Sequence, residues 1–210
     1  MLILACALFG YLLGSIPFGL ILTKMAGTED ILKIGSGSIG TTNVLRTGRK
    51  DLAALTLIFD ASKAAIATLI AFYLIPNDDL IFCGFYTSAN LVAGLIAGLA
   101  AIFGHSFPIW LRFKGGKGIA SAFGYILAVT PLVALLALLT WLVMAIITRY
   151  SSLSAITAAI LLPVYTFFFA SPVVLIFYIP LVTLVLIRHH ANIARLIKGQ
   201  ESKITFKKKK

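Results

Sequence analysis

The chain has 210 residues, of which 60% are hydrophobic and 12% charged, with a formal net charge of +11. A soluble domain carries about 45–50% apolar and about 25% charged residues, so these proportions exclude an ordinary soluble fold and place most of the chain in lipid. The positive charge would suggest nucleic acid in a soluble protein; here basic residues held at the inner membrane surface and attraction to anionic head groups account for it, and no nucleic-acid partner is expected.

A spanning helix needs about 20 apolar residues. Met1–Thr23 has no charge before Lys24 and lacks the basic start of a signal peptide, so it reads as a retained span, bent at Gly14-Ser15-Ile16-Pro17. Leu52–Ile75 is the second span and Leu80–Phe103 the third, broken by Thr87, Ser88 and Asn90. Gly118–Val129 is apolar but short. Thr130-Pro131 turns the chain into Leu132–Thr148, followed by Leu153–Ala170, a Ser171-Pro172 break and Val173–Ile187. The pattern predicts an all-α integral membrane protein with about seven transmembrane helices, some short or broken. It predicts one polytopic domain over 1–203 and a basic tail over 204–210, in which Lys207–Lys210 touches anionic lipid.

The segments around Pro76-Asn77-Asp78-Asp79, Thr130-Pro131 and Ser171-Pro172 hold no Lys or Arg. The basic residues fall in 24–51, 105–117, 149–152 and 188–210, with Lys63 in the inner half of span two. This asymmetry predicts the N-terminus outside and the C-terminus in the cytoplasm. Cys6 and Cys83 lie far apart in apolar surroundings and read as packing residues.

Three polar islands interrupt the apolar chain, all on the predicted cytoplasmic face. The first is "IGSGSIGTTNVLRTGRK", Ile34–Lys50. Gly35, Gly37 and Gly40 match G-x-G-x-x-G, but no βαβ unit surrounds them, so a dinucleotide site is rejected. Glycine amides turned inward can still cradle an anion. Ser36, Ser38, Thr41 and Thr42 add hydroxyl donors, and Arg46, Arg49 and Lys50 add charge. The competing reading is a flexible interhelical loop.

The second island is "GHSFPIWLRFKGGKG", Gly104–Gly118, in which Lys114 and Lys117 bracket Gly115 and Gly116 just before a predicted helix start. Helix N-termini and ammonium groups attract phosphate. His105, Trp110 and Phe113 read as interfacial anchors. The third island is "RHHANIARLIKGQ", Arg188–Gln200, where His189 and Asn192 stand three apart on one helical face. A histidine at a span end also serves as a cap. Asp60 and Lys63 lie i and i+3 within span two, and charges inside a membrane are paired or functional. They read as a structural pair that orients the loop, with a phosphate contact from Lys63 as the alternative.

Glycine amides, hydroxyls, Lys, Arg and His with few carboxylates make a site for a phosphate-bearing ligand beside hydrocarbon. These motifs, together with "LLGSIPFG" in span one and "RYSSLSAI" around Ser152, resemble those of the bacterial acyl-phosphate:glycerol-3-phosphate acyltransferases, the PlsY family, from about Leu12 to Glu201. The resemblance implies a seven-span inner-membrane enzyme with its site on the cytoplasmic face. The enzyme moves a fatty acyl group from acyl phosphate to the sn-1 hydroxyl of glycerol 3-phosphate and releases lysophosphatidic acid and phosphate. It assigns Ser36, Gly37, Gly40, Thr42, Asn43 and Arg46 to the first motif and Lys114, Gly115, Gly116, Lys117 and Gly118 to the second, with Ser152, His189 and Asn192 matching elsewhere. Ser38 and Thr41 stand where many relatives have Asn and Ala.

The His-x-x-x-x-Asp dyad of acyl-CoA-dependent acyltransferases is absent: five residues after His105, His189 and His190 come Trp110, Ala194 and Arg195. No G-x-S-x-G elbow is present either. Acyl phosphate is already activated, so positioning and charge stabilisation suffice. The first loop is expected to hold the phosphate that gains charge and Lys114 and Lys117 the other. His189, Asn192 and Ser152 are expected to orient the attacking hydroxyl, with His189 or a substrate phosphate oxygen as base. Asp60, Lys63 and Arg49 are the candidate supporting residues. No cofactor or metal is required, and a monomer suffices. A transporter of phosphorylated solutes is the main alternative, but it would place polar groups at mid-membrane. A CDP-alcohol phosphotransferase would need an Asp cluster for metal, and a lipid-binding scaffold leaves the glycine loops without a purpose.

Overall fold

The computed structural model describes residues 1–204, so the Lys207–Lys210 run lies outside the described residues. The chain forms two compact units, Met1–Val129 and Thr130 onward.

The first unit opens with α1 (Leu2–Gly14) and α2 (Phe18–Met25). The bend between them falls at Ser15–Pro17, as the sequence suggested: Pro17 has no amide hydrogen, and Ser15 Oγ caps the first helix by donating to Tyr11 O at 2.7 Å. Next come α3 (Thr41–Val44), α4 (Lys50–Leu74), a β-hairpin of β1 (Asp79–Phe82) and β2 (Phe85–Ser88), α5 (Ala89–Ser106) and α6 (Ile119–Val129).

The hairpin corrects the expected third span, which begins at Ala89 rather than Leu80. Antiparallel pairing of Leu80 with Thr87 and Ile81 with Tyr86 closes on Cys83-Gly84, both at positive φ (52° and 85°). Two left-handed central residues make the tight hairpin turn that suits twisted strands. The run is short and apolar, and its length alone does not tell strand from helix.

Small residues let the helices of this unit approach closely. A Cβ on Gly10 or Gly14 of α1 would collide with the backbone carbonyls of Ala97 or Ala101 on α5, and one on Gly124 of α6 with that of Ala61 on α4. Within lipid, such close packing replaces the hydrophobic drive between helices.

The second unit holds α7 (Pro131–Thr148), α8 (Ser151–Phe169), α9 (Pro172–Arg188) and α10 (His190–Ile197). Pro131 and Pro172 each start a helix, where the missing amide costs nothing. Ser171 Oγ accepts from Val174 N to cap α9. The chain bends by 56° between α9 and α10.

Among the described residues, five segments are long and apolar enough to cross a membrane: Leu2–Met25, Lys50–Leu74, Ala89–Leu111, Pro131–Thr148 and Ser151–Phe169. The bent pair α9–α10 makes up to six. At 11 residues, α6 is about 17 Å long at 1.5 Å per residue, well short of the ~30 Å hydrocarbon core. Outward-facing Leu135, Leu139, Ile146 and Phe167 are 47–71% exposed, as lipid-facing side chains should be.

Candidate active site

In the first unit, Leu20, Ile31, Ile39, Val44, Leu52 and Ala53 form a small apolar core, with Ile34 and Leu111 packed against it. Residues from the first two polar islands therefore rest on one foundation. Above it, Asn43, 1% exposed, ties the first loop together. Its Nδ2 donates to Ile31 O (2.6 Å) and Ser38 O (2.8 Å), and its Oδ1 accepts from Ser36 N (3.1 Å) and Arg46 Nη1 (3.2 Å). Gly35 stands at φ +55°, where any Cβ would overlap Arg46 and Asn43, so only glycine fits.

Two sequence expectations change here. The amide nest is partly spent, because Ser36 N–H goes to Asn43 and Gly37 N–H to Ile34 O (2.9 Å). Asn43, expected among the phosphate ligands, is engaged inside the fold as the loop's organiser. The groups at the rim are Ser36, whose Oγ lies 3.0 Å from Ser38 Oγ, and the exposed side chains of Thr42 and Arg46. Thr41 Oγ1 is buried with no hydrogen-bond partner among the described residues, and Gly40 has open space where a Cβ would stand. Arg49 is paired through two hydrogen bonds with Asp51, at 2.6 and 3.0 Å. Both partners are exposed, and water and salt screen such a pair so that it adds little to stability.

The second loop is held by the end of α5. Gly115 N donates to Ser106 O (3.2 Å) and Gly116 N to His105 O (3.0 Å). These are last-turn carbonyls that the helix itself leaves unsatisfied. The amides of Gly115 and Gly116, expected to grip phosphate, are thus committed to the protein. Their lack of side chains matters more, since a Cβ on either would strike His105. Arg112 and Phe113 precede them at φ 50° and 63°, an unusual left-handed pair that turns the chain sharply. Lys114 is exposed and Lys117 half-buried. Gly118, at φ +81°, leads into α6, and a Cβ there would stand 3.3 Å from Ser106 Oγ, a fully buried hydroxyl without a hydrogen-bond partner among the described residues. Buried orphan hydroxyls are rare.

Beneath the second loop, Lys63 Nζ lies 2.9 Å from Asp60 Oδ1, bearing out the expected i, i+3 pair. The ammonium also reaches His105 Nδ1 (2.9 Å) and Ile16 O (3.1 Å). At 1% exposure, Lys63 has its donors directed into the protein, the arrangement of the structural reading. His105 is 3% exposed, so it is a core residue and not an interfacial anchor. Trp110 and Phe113 are exposed, as that reading requires.

The second unit carries its own polar cluster. His189 caps the end of α9 and begins α10, and its Nδ1 donates to Val185 O at 2.8 Å. In the neutral form the ring then carries its lone pair on Nε2. Ser152 Oγ and Asn192 Nδ2 converge on Glu201 Oε1, at 2.8 and 2.6 Å, while Arg195 Nε donates to Oε2 at 2.6 Å. Burial alone would raise the Glu201 carboxyl, but the hydrogen bonds from Ser152, Arg195 and Asn192 outweigh it and hold it below the usual carboxylate range. The adjoining chain is pinned as well, with Ile204 N donating to Arg149 O at 2.7 Å.

The family profile described as glycerol-3-phosphate acyltransferase matches residues 4–199. The chain belongs to the glycerol-3-phosphate acyltransferase family. Among its relatives, the glycerol-3-phosphate acyltransferase of Rhodospirillum rubrum is 53% identical over 97% of this chain and 92% of its own length. That of Maricaulis maris is 51% identical over 98% and 88%. Two crystal structures of PlsY, an integral membrane glycerol 3-phosphate acyltransferase, also superpose on the chain, each with a TM-score of 0.84. The glycerol 3-phosphate form is 36% identical, covering 97% of this chain and 96% of that one. The lysophosphatidic acid form is 37% identical, covering 97% and 95%. This chain is thus an integral membrane acyltransferase of that family.

Two residues at the centre of these hydrogen-bond clusters were not singled out in the sequence as site residues. Glu201 carried a usable signal: it is the only carboxylate after Asp79, in a stretch crowded with Arg and Lys. His105 carried none, since its partners lie 42 residues away and more.

Proposed function

We propose that this chain transfers a fatty acyl group from acyl phosphate to the sn-1 hydroxyl of glycerol 3-phosphate, giving lysophosphatidic acid and inorganic phosphate. One observation carries this reading: near full-length likeness to PlsY structures described as its glycerol 3-phosphate and lysophosphatidic acid forms, acceptor and product of one reaction. Ser36, Ser38, Thr42 and Arg46, with the open backbone at Gly40, grip the phosphate that leaves with extra charge, and Gly37, at φ +63°, turns the loop. Lys114, Lys117 and the backbone at Gly118 hold the phosphate of the acceptor, while Asn43, Gly115 and Gly116 keep the loops in shape. Asp60 and Lys63 support the second loop, and Arg49 is left to its surface pair. Such preorganised donors stabilise developing charge by about 3–4 kcal/mol each.

In the second unit, Ser152, Asn192 and His189 orient the attacking hydroxyl. With Asn192 Nδ2 committed to Glu201, its Oδ1 is turned to accept from a substrate hydroxyl. The new ester C–O bond forms as the carbonyl C–O bond to phosphate breaks, and the hydroxyl proton passes to a phosphate oxygen of the substrates. His189, through its Nε2 lone pair, positions that hydroxyl.

The chain crosses the bacterial cytoplasmic membrane seven times, with the short α6 as the fourth crossing, the N-terminus outside and the polar loops in the cytoplasm. The absence of Lys and Arg from the 76–88, 130–131 and 171–172 connections supports this orientation. The deciding assay is phosphate release by purified protein given acyl phosphate, with and without glycerol 3-phosphate, against acyl-CoA. Release that ignores the acceptor, or thrives on acyl-CoA, would sink the reading.

A further inference from the structure

The membrane-embedded Asp60–Lys63–His105 cluster touches no group assigned to substrate, yet it sits directly under the second loop. We infer that it is a charge-locked strut: Lys63 fixes the imidazole of His105 as the Nε2–H tautomer and so sets the backbone of residues 114–118. His105, Lys63 and Asp60 are then positioning residues for the phosphate grip, an inference that rests on the acyltransferase reading above.

Donor counting carries the argument. Lys63 Nζ has three neighbours in hydrogen-bond range: Asp60 Oδ1 at 2.9 Å, His105 Nδ1 at 2.9 Å and Ile16 O at 3.1 Å. An ammonium has three N–H donors and no acceptor. The contact with Asp60 is an ion pair rather than a directed hydrogen bond, but an ammonium has no lone pair to offer, so it can only donate to His105 Nδ1, which must accept; Asp60 Oδ1, at 3.6 Å, is too far to take a proton from Nδ1. The ring proton is thereby placed on Nε2. The Phe18 ring, 5.9 Å from Nζ, favours the cation further. Asp60 and Lys63 are each 1% exposed, and an ion pair so deep persists only when both charges are compensated.

The other edge of the ring meets the loop. A Cβ on Gly116 would overlap His105 Nε2, so the ring occupies the space that a side chain there would fill. The backbone carbonyls of His105 and Ser106 accept from Gly116 N and Gly115 N. The loop is thus clasped by the same turn of α5 that carries the locked ring. A swap to the Nδ1–H tautomer would set a donor against the ammonium and turn the Nε2 lone pair toward the loop.

The test combines spectroscopy and kinetics on the full-length protein in detergent micelles. Imidazole 15N NMR of wild type, assigned through His105→Gln, should show a neutral ring protonated at Nε2. In Lys63→Met that preference should disappear. Glutamine places an amide where Nε2 stands and asparagine where Nδ1 stands. His105→Gln should therefore keep the KM for glycerol 3-phosphate within about threefold, whereas His105→Asn and Lys63→Met should raise it roughly tenfold, the effect of one lost hydrogen bond, with a smaller change in kcat. An Nδ1–H or doubly protonated ring in wild type overturns the proposal, whatever the variants do. So does an unchanged KM in both His105→Asn and Lys63→Met. If no turnover is seen with acyl phosphate at all, the functional reading fails, while the NMR result still decides the tautomer.

Discussion

Removing the Glu201 carboxylate should loosen the end of the chain and cost activity together. Its side chain is 6% exposed and takes hydrogen bonds from Ser152, Asn192 and Arg195. Hydrogen bonds to an ionised group contribute about 1.5–3 kcal/mol each. The Arg195 side chain is 42% exposed, so that link adds less than about 1 kcal/mol. Glu201→Ala should therefore cost roughly 3–7 kcal/mol locally, part of it from stranding the buried Asn192 amide. Glu201→Gln keeps an oxygen toward Ser152 and Asn192 and should cost only about 1–2 kcal/mol. Thermal unfolding in detergent, limited trypsin cleavage at the exposed Lys198 and Lys203, and turnover read the effect. The alanine variant should be nicked early and should lose about 10²-fold in rate as Asn192 drifts.

The pH dependence has a definite sign. A carboxyl whose folded value is lowered stabilises the fold above its unfolded value, about 4.3 for Glu. The contribution is thus intact at neutral pH and is lost as pH falls below the usual carboxylate range through the lowered value. Glu201→Gln should flatten that acid limb. Wild-type trypsin resistance and turnover in Glu201→Ala would refute the reasoning.

Three further outcomes follow from the geometry. Asn43→Ala removes four hydrogen bonds that hold the first loop and should lower kcat/KM by about 10²-fold or more while leaving the spans folded, checked by steady-state kinetics beside circular dichroism. Gly124→Val drives a branched side chain into the Ala61 carbonyl and should cost at least about 3 kcal/mol, seen as lost folded yield in detergent. Cys83 is exposed in the hairpin and Cys6 is buried. A membrane-impermeant maleimide added to spheroplasts should label Cys83 and spare Cys6, and labelling of Cys83 only after lysis would reverse the assigned orientation.

Local signals were legible in the residues themselves. Hydropathy marked the membrane helices, Pro17, Pro131 and Ser171-Pro172 marked their bends and starts, and Asp60 and Lys63 met because i and i+3 share a helical face. Glycine, hydroxyl and basic clusters announced phosphate chemistry through composition alone. What the tertiary structure decided was where each hydrogen-bond donor is spent. The amides of Gly115 and Gly116 go to the end of α5, Asn43 turns inward, Lys63 finds His105, and Ser152 and Asn192 share Glu201. Side-chain type states what a group can donate; which acceptor it meets depends on how separate segments pack, 42 residues apart for Lys63 and His105 and 49 for Ser152 and Glu201, and no local pattern encodes that meeting. The hairpin at Asp79–Ser88 has the same cause, for an apolar run of that length suits helix or strand until a partner strand satisfies its backbone.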